Sequence, residues 1–403
     1  MKRPVPLAIA SLCLAGASMF GQAAPSFQVD PLWPRPLPNH WLLGSVTGVA
    51  VDAQDHIWIV HRGYDSMTAR TEIGAATTPK SAEECCVPAP PVLEFDQTGA
   101  LLGHWGGPGQ GYDWPASPGG LAVDAKGDVW IAASGPPEIP GSANATAGRG
   151  RATGPAAATG AAASNAGRGG TPPKPQDAHV LKFSPAGTFL LQIGKAGQPG
   201  ASDSTGGLNR PANLDVDGNE VYVADGFGNH RVIVFDAGTG AYKRHWGGSG
   251  EKPDDGTQAP YDPGAAPGKQ FRSVGCVAVA KDGKVYVCDR GNDRIQVFDK
   301  TGRYLSEGFV SKTTKGTGSV WDIALSRDPQ QRFLFVADGH DQRVFIVRRD
   351  TLETVGGFGD GGRYPGTFYG VGSIAVDSKG NVYTGETLEG KRVQKFIPRG
   401  SGR

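Results

Sequence analysis

Apolar and polar residues alternate along residues 221–236, VYVADGFGNHRVIVFD. Val221 and Val223 alternate with Tyr222 and Ala224, Asp225 and Gly226 interrupt the run, and Val232, Val234 and Phe235 resume it. A period of two broken by a turn dipeptide predicts strand, tight turn, strand. The same pattern recurs at 285–299 (VYVCDRGNDRIQVFD), at 333–347 (FLFVADGHDQRVFIV) and, in degenerate form, at 382–397 (VYTGETLEGKRVQKFI). Internal repeats of this kind require a repeating fold.

Each pair contains a leading half. Residues 49–52 precede 57–60, 121–124 precede 129–132, 214–217 precede 221–224, 277–280 precede 285–288, 323–325 precede 333–336, and 374–377 precede 382–383. Gly127, Gly283 and Gly380 supply the conformational freedom that a hairpin reversal needs. A third strand follows every pair and a fourth follows most, which predicts an all-β, six-bladed β-propeller of four-stranded blades, its ring closure shielding sheet edges. The last copy has no fourth strand of its own. Residues 26–33 (SFQVDPLW) are expected to supply it and close the ring; the alternative is an arm lying on the surface. Residues 64–91 and 136–177 interrupt the first two copies between their second and third strands, so both inserts emerge on one face. The second insert is low in complexity and carries Arg149, Arg151, Arg168 and Lys174, which reads as a loose solvated loop or a basic lid.

Charge narrows the partners. Lys and Arg number 40 against 39 Asp and Glu, a net charge of +1 that gives no general attraction to nucleic acid. Residues 1–23 combine Lys2 and Arg3, an apolar run too short to span a bilayer, and a small-residue cleavage site, the pattern of a secretory signal peptide. The expected product is a secreted or periplasmic monomer, residues 24–403, with no membrane span and with disulfides permitted.

GFGNHRVIVFD and RGNDRIQVFD resemble NHL repeats. Together with LGSVTGVAVD, His61-Arg62-Gly63 and the VADGFGNHRV run, they also resemble the lyase domain of peptidylglycine α-amidating enzymes. That resemblance implies a channel zinc held by three histidines, a catalytic tyrosine and a calcium-binding carboxylate. The matching positions here are Gly119, Gly275 and Gly372, then Phe227, then Ser373. With no side chain at three ligand positions, the family's zinc chemistry is not expected, and neither is any other metal or cofactor. Two arginines that the resemblance marks are retained, Arg62 and Arg290.

The remaining chemistry is weighed by recurrence. Asp225, Asp289 and Asp338 each precede an arginine by five or six residues, Arg231, Arg294 or Arg343, which reads as a repeated structural tie. Arg62, Asn213, Arg290, Asp322 and Glu386 break the repeat and are the better candidates for binding, with His61 beside them at a strand end and Phe227 in the turn. His230 and His340 read as ordinary turn residues. Cys276 and Cys288 lie equidistant from Asp282 and are expected to bridge the hairpin as a disulfide, with two buried thiols as the alternative. Cys85 and Cys86 can bridge each other or pair elsewhere. The expected function is binding of a small anionic ligand, a peptide or a protein at the channel mouth. The alternative is a lyase-like or hydrolytic enzyme rebuilt around His61, Arg62, Arg290 and Glu386.

Overall fold

The computed structural model describes residues 24–67, 72, 86–135 and 176–400. The signal-like segment 1–23, Cys85 and the body of the insert at 136–177 lie outside them. Six antiparallel four-stranded sheets form the blades of a β-propeller. From the axis outward, blade 1 is Val46–Val51, Ile57–His61, Val92–Phe95 and Leu101–Trp105. Blade 2 is Pro118–Val123, Val129–Ala133, His179–Phe183 and Phe189–Gly194, and blade 3 is Asn213–Asp217, Glu220–Asp225, Arg231–Asp236 and Tyr242–Trp246. Blade 4 is Val274–Val279, Lys284–Asp289, Arg294–Asp299 and Tyr304–Phe309, and blade 5 is Asp322–Leu325, Phe333–Asp338, Arg343–Arg348 and Thr354–Phe358.

Blade 6 has Val371–Val376, Val382–Glu386 and Arg392–Pro398, and its outer strand is the N-terminal Phe27–Asp30. Phe27 stands opposite Pro398 and Asp30 opposite Lys395, so the start of the described chain completes the last sheet, as the missing strand required. A short parallel pair, Trp41–Leu42 with Val87–Pro88, anchors the end of the first insert; the alternation pattern does not reveal it. No helix among the described residues is long and apolar enough to cross a membrane.

Strand side chains alternate between the two faces of each sheet, so every blade offers one apolar set to each neighbour. The core accordingly falls into six buried clusters, one per seam between blades. Cys276 and Cys288 are directly opposed in blade 4, with Cα atoms 4.9 Å apart, and are joined as a disulfide. Cys86 is also disulfide-bonded.

The Asp–Arg recurrence is architectural in two blades. Arg231 donates to Asp225 at 2.9 Å and Arg294 to Asp289 at 2.8 Å, all four side chains being buried. The rest of the Arg231 guanidinium donates to the Ser202, Ser204 and Gly207 carbonyls, fastening the turn to the loop that enters the blade.

Candidate functional site

Where the inner strands begin and the second strands end, the ring encloses an axial cavity of about 650 Å³. Two tiers of six equivalent positions line it. At or just before the start of the innermost strands stand Thr47, Gly119, Ala212, Gly275, Trp321 and Gly372. One residue past the second strands stand Arg62, Ser134, Gly226, Arg290, Gly339 and Thr387. Five residues of the first tier are small, which keeps the mouth open. In the second tier the two arginines belong to blades 1 and 4, which face each other across a six-membered ring.

The Arg290 guanidinium lies 3.6 Å over the Trp321 ring, and its Nε donates to the Thr317 carbonyl at 2.5 Å. Stacking and one backbone bond fix its plane, which suits a fork-shaped donor. Arg62 donates from Nη2 to Ser134 Oγ at 3.4 Å, while its buried Nε has no hydrogen-bond partner. Burial draws the Arg62 guanidinium down to about 10, Asp177 opposing and Arg210 reinforcing the effect, so it is a cation at neutral pH. Arg210 and Arg272, from the loops entering blades 3 and 4, also line the cavity, as do His230 and His340. No aspartate or glutamate is among the described residues that line it. A cavity with four guanidinium groups and no facing carboxylate is an anion acceptor by composition.

The sequence-marked residues separate in the fold. Arg62, Asn213, Phe227 and Arg290 meet at the cavity. His61 does not reach it, contrary to its placement at the channel mouth. Its Nδ1 accepts the Gly44 and Gly63 amides at 3.1 and 3.0 Å, and its Nε2 donates to the Pro90 carbonyl at 3.0 Å. The returning insert has folded over this strand end, and burial lowers the imidazole to about 4, leaving it neutral. Glu386 is likewise withdrawn: it is buried, paired with Arg392 and accepts from Tyr369 N at 2.7 Å. The set His61, Arg62, Arg290 and Glu386 is therefore not brought together.

Asp322 lies beneath the cavity. Asn213 donates to it at 3.0 Å from blade 3 to blade 5, and Ile323 and Ile374 amides add bonds at 2.9 and 3.0 Å. Burial lifts its carboxyl to about 7, with Asp215 contributing. His230 and His340 line the cavity rather than serving only as turn surface. Arg210, Arg272 and Trp321 went unmarked, because the loops entering the blades carry no repeat pattern. Trp321 was detectable as the one bulky residue in a tier of small ones.

The three glycines offer no ligand to the zinc that the amidating-lyase resemblance implies, and at Gly119 there is no room for one. A Cβ at Gly119 would lie 2.7 Å from Ser134 Cβ and 2.8 Å from the Ala212 carbonyl, so blade 3 backbone occupies the space a ligand side chain would need. The residues present do not fit that metal.

The family model of the NHL repeat matches residues 208–235 and 271–298, the three inner strands of blade 3 and of blade 4. The chain is a six-bladed β-propeller that contains two NHL repeats. Its similarity to NHL repeat-containing protein 3 of Homo sapiens is 30% identity over 232 residues, 55% of this chain and 59% of that protein. The Mus musculus counterpart is 28% identical over 229 residues, 54% and 58% of the two chains. The chain thus spans less than two thirds of the length of these relatives. Among solved structures, a catalytically inactive virginiamycin B lyase from Staphylococcus aureus with quinupristin aligns at TM-score 0.47 and 12% identity, covering 93% of this chain and 88% of the lyase.

Proposed function

We propose that this propeller binds an anionic ligand, a small carboxylate or phosphate or the acidic end of a peptide, in its axial cavity. The observation that carries the reading is the lining: four arginines, two histidines and no carboxylate among the described residues. Guanidinium groups on the wall of such a cavity offer a ligand oxyanion charge-assisted, fork-shaped hydrogen bonding. The paired Cys276 and Cys288, together with the signal-like residues 1–23, support a secreted or periplasmic location for this binding.

Isothermal titration with a panel of carboxylates and phosphates, each beside its neutral amide or ester, tests the proposal. The anions are expected to bind, the neutral analogues not to. Arg62→Ala and Arg290→Ala should each weaken binding by about 1.5–3 kcal/mol, roughly ten- to hundredfold, with an unchanged melting temperature. Equal binding of anion and neutral analogue, or no loss in either variant, would overturn it.

A further inference from the structure

On the face of the ring opposite the cavity, blade 1 carries a second constellation, Asp52, His56 and Glu94. We propose that these three residues form a binding site for a first-row divalent transition ion such as zinc. His56 Nδ1 lies 2.8 Å from Glu94 Oε1 and 3.6 Å from Asp52 Oδ2, and one ligand atom from each residue falls within 4.8 Å of the others. Tetrahedral ligands about 2.1 Å from a zinc ion stand roughly 3.4 Å apart, so the three atoms need only small movements to share one. An imidazole with two carboxylates suits zinc and its neighbours better than magnesium or calcium, which favour all-oxygen shells. His56 is about one third exposed, at 34%, so water can complete the shell.

The first ligand is already oriented. Asp52 Oδ1 accepts the Gln54 and His56 amides at 2.8 Å each, and Oδ2 accepts Trp58 Nε1 at 2.9 Å. Outer bonds of this kind hold a ligating carboxylate in place.

An independent pointer to a cation comes from blade 2, which repeats the same turn. Asp124 accepts the Asp128 amide and Trp130 Nε1, as Asp52 accepts those of His56 and Trp58. Lys182 stands opposite Trp130 as Glu94 stands opposite Trp58. There the Lys182 ammonium sits 3.4 Å from Asp124 and 2.9 Å from Asp128, so this locus in the repeat is built to hold positive charge. In blade 1 the lysine has become Glu94 and the second acid His56. The built-in cation is gone, and ligands surround its position.

The test is titration of the purified full chain with zinc chloride, read by calorimetry and by the His56 imidazole resonances. One equivalent is expected to bind and to shift His56. The double variant His56→Asp with Glu94→Lys rebuilds the blade 2 arrangement. It should fold and lose that equivalent, while any zinc held by His230 and His340 in the axial cavity stays as in the parent. Glu94→Gln should weaken it by about tenfold or more. Zinc binding identical in the parent and both variants, or no shift of His56 at millimolar zinc, would overturn the proposal and leave the three residues as an ion pair with its turn.

Discussion

Asp338 and Arg343 face each other in register across blade 5, in the positions that Asp225–Arg231 and Asp289–Arg294 hold in blades 3 and 4, yet they do not bond. Asp338 Oδ2 and Arg343 Nε are both buried without a hydrogen-bond partner. The other carboxylate oxygen accepts the His340 and Asp341 amides, and the guanidinium lies 5.1 Å over the Phe345 ring. Burial, with Asp341 nearby, raises the Asp338 carboxyl to about 8 from 3.8. The folded protein therefore holds a proton that the unfolded chain releases, and between about pH 4 and pH 8 this residue makes stability fall as pH rises. Asp338→Asn keeps the shape and removes the ionisation, so it should melt above the parent at pH 8, with the gap shrinking towards pH 4. Equal melting curves for the two proteins at pH 8 would show that Asp338 does not titrate in this window.

Pairing of strands within a blade was legible because a period of two is a local signal. The strands at Glu220–Asp225 and Arg231–Asp236 fall where the alternation of 221–236 places them, and the register of Cys276 with Cys288 follows from the turn between them. What a strand end faces is not local. His61 ends its strand as Asp225, Asp289 and Asp338 end theirs, but residues returning from the insert cover it, and nothing in the alternation of 57–61 records that. Arg210 and Arg272 reach the cavity from loops with no repeat partner, so recurrence could neither include nor exclude them. The same contrast separates structural from binding arginines. Arg231 has every donor group committed and lies fully buried against Asp225, so Arg231→Ala leaves an uncompensated carboxylate and should cost about 3–5 kcal/mol in chemical denaturation. Arg62→Ala, on the cavity wall, should leave the denaturation midpoint near the parent value. A reversed ranking would mean that the repeat has been misread.

At the scale of the ring, one strand decides whether six blades make a closed body. Phe27 packs against Phe335 and Phe358, with ring centroids 5.4 and 4.9 Å away, and Ser26 accepts the Arg399 amide at 2.8 Å. Six residues further on, Trp33 fills the seam between blades 6 and 1, 5.0 Å from Tyr383 and 5.9 Å from Phe95. The segment therefore supplies an edge to blade 6 and part of the core that joins the last blade to the first. Phe27→Ala should cost about 3–5 kcal/mol, the usual loss for a buried phenylalanine. Deleting residues 24–33 should cost more, because it also bares the edge of Arg392–Pro398 and removes Trp33 from the seam. The cavity is coupled to this seam: Arg62 projects from blade 1 on one side of it, Gly372 and Thr387 from blade 6 on the other. A truncated protein that remains folded at low temperature should then bind the anion more weakly than the full chain, although none of the deleted residues touches the cavity. Hydrogen exchange should show Val382–Glu386 and Arg392–Pro398 losing protection before the strands of blade 3. If truncation lowers stability while anion affinity stays at the parent value, closure serves the fold alone and the two sides of the seam do not need each other to hold the ligand.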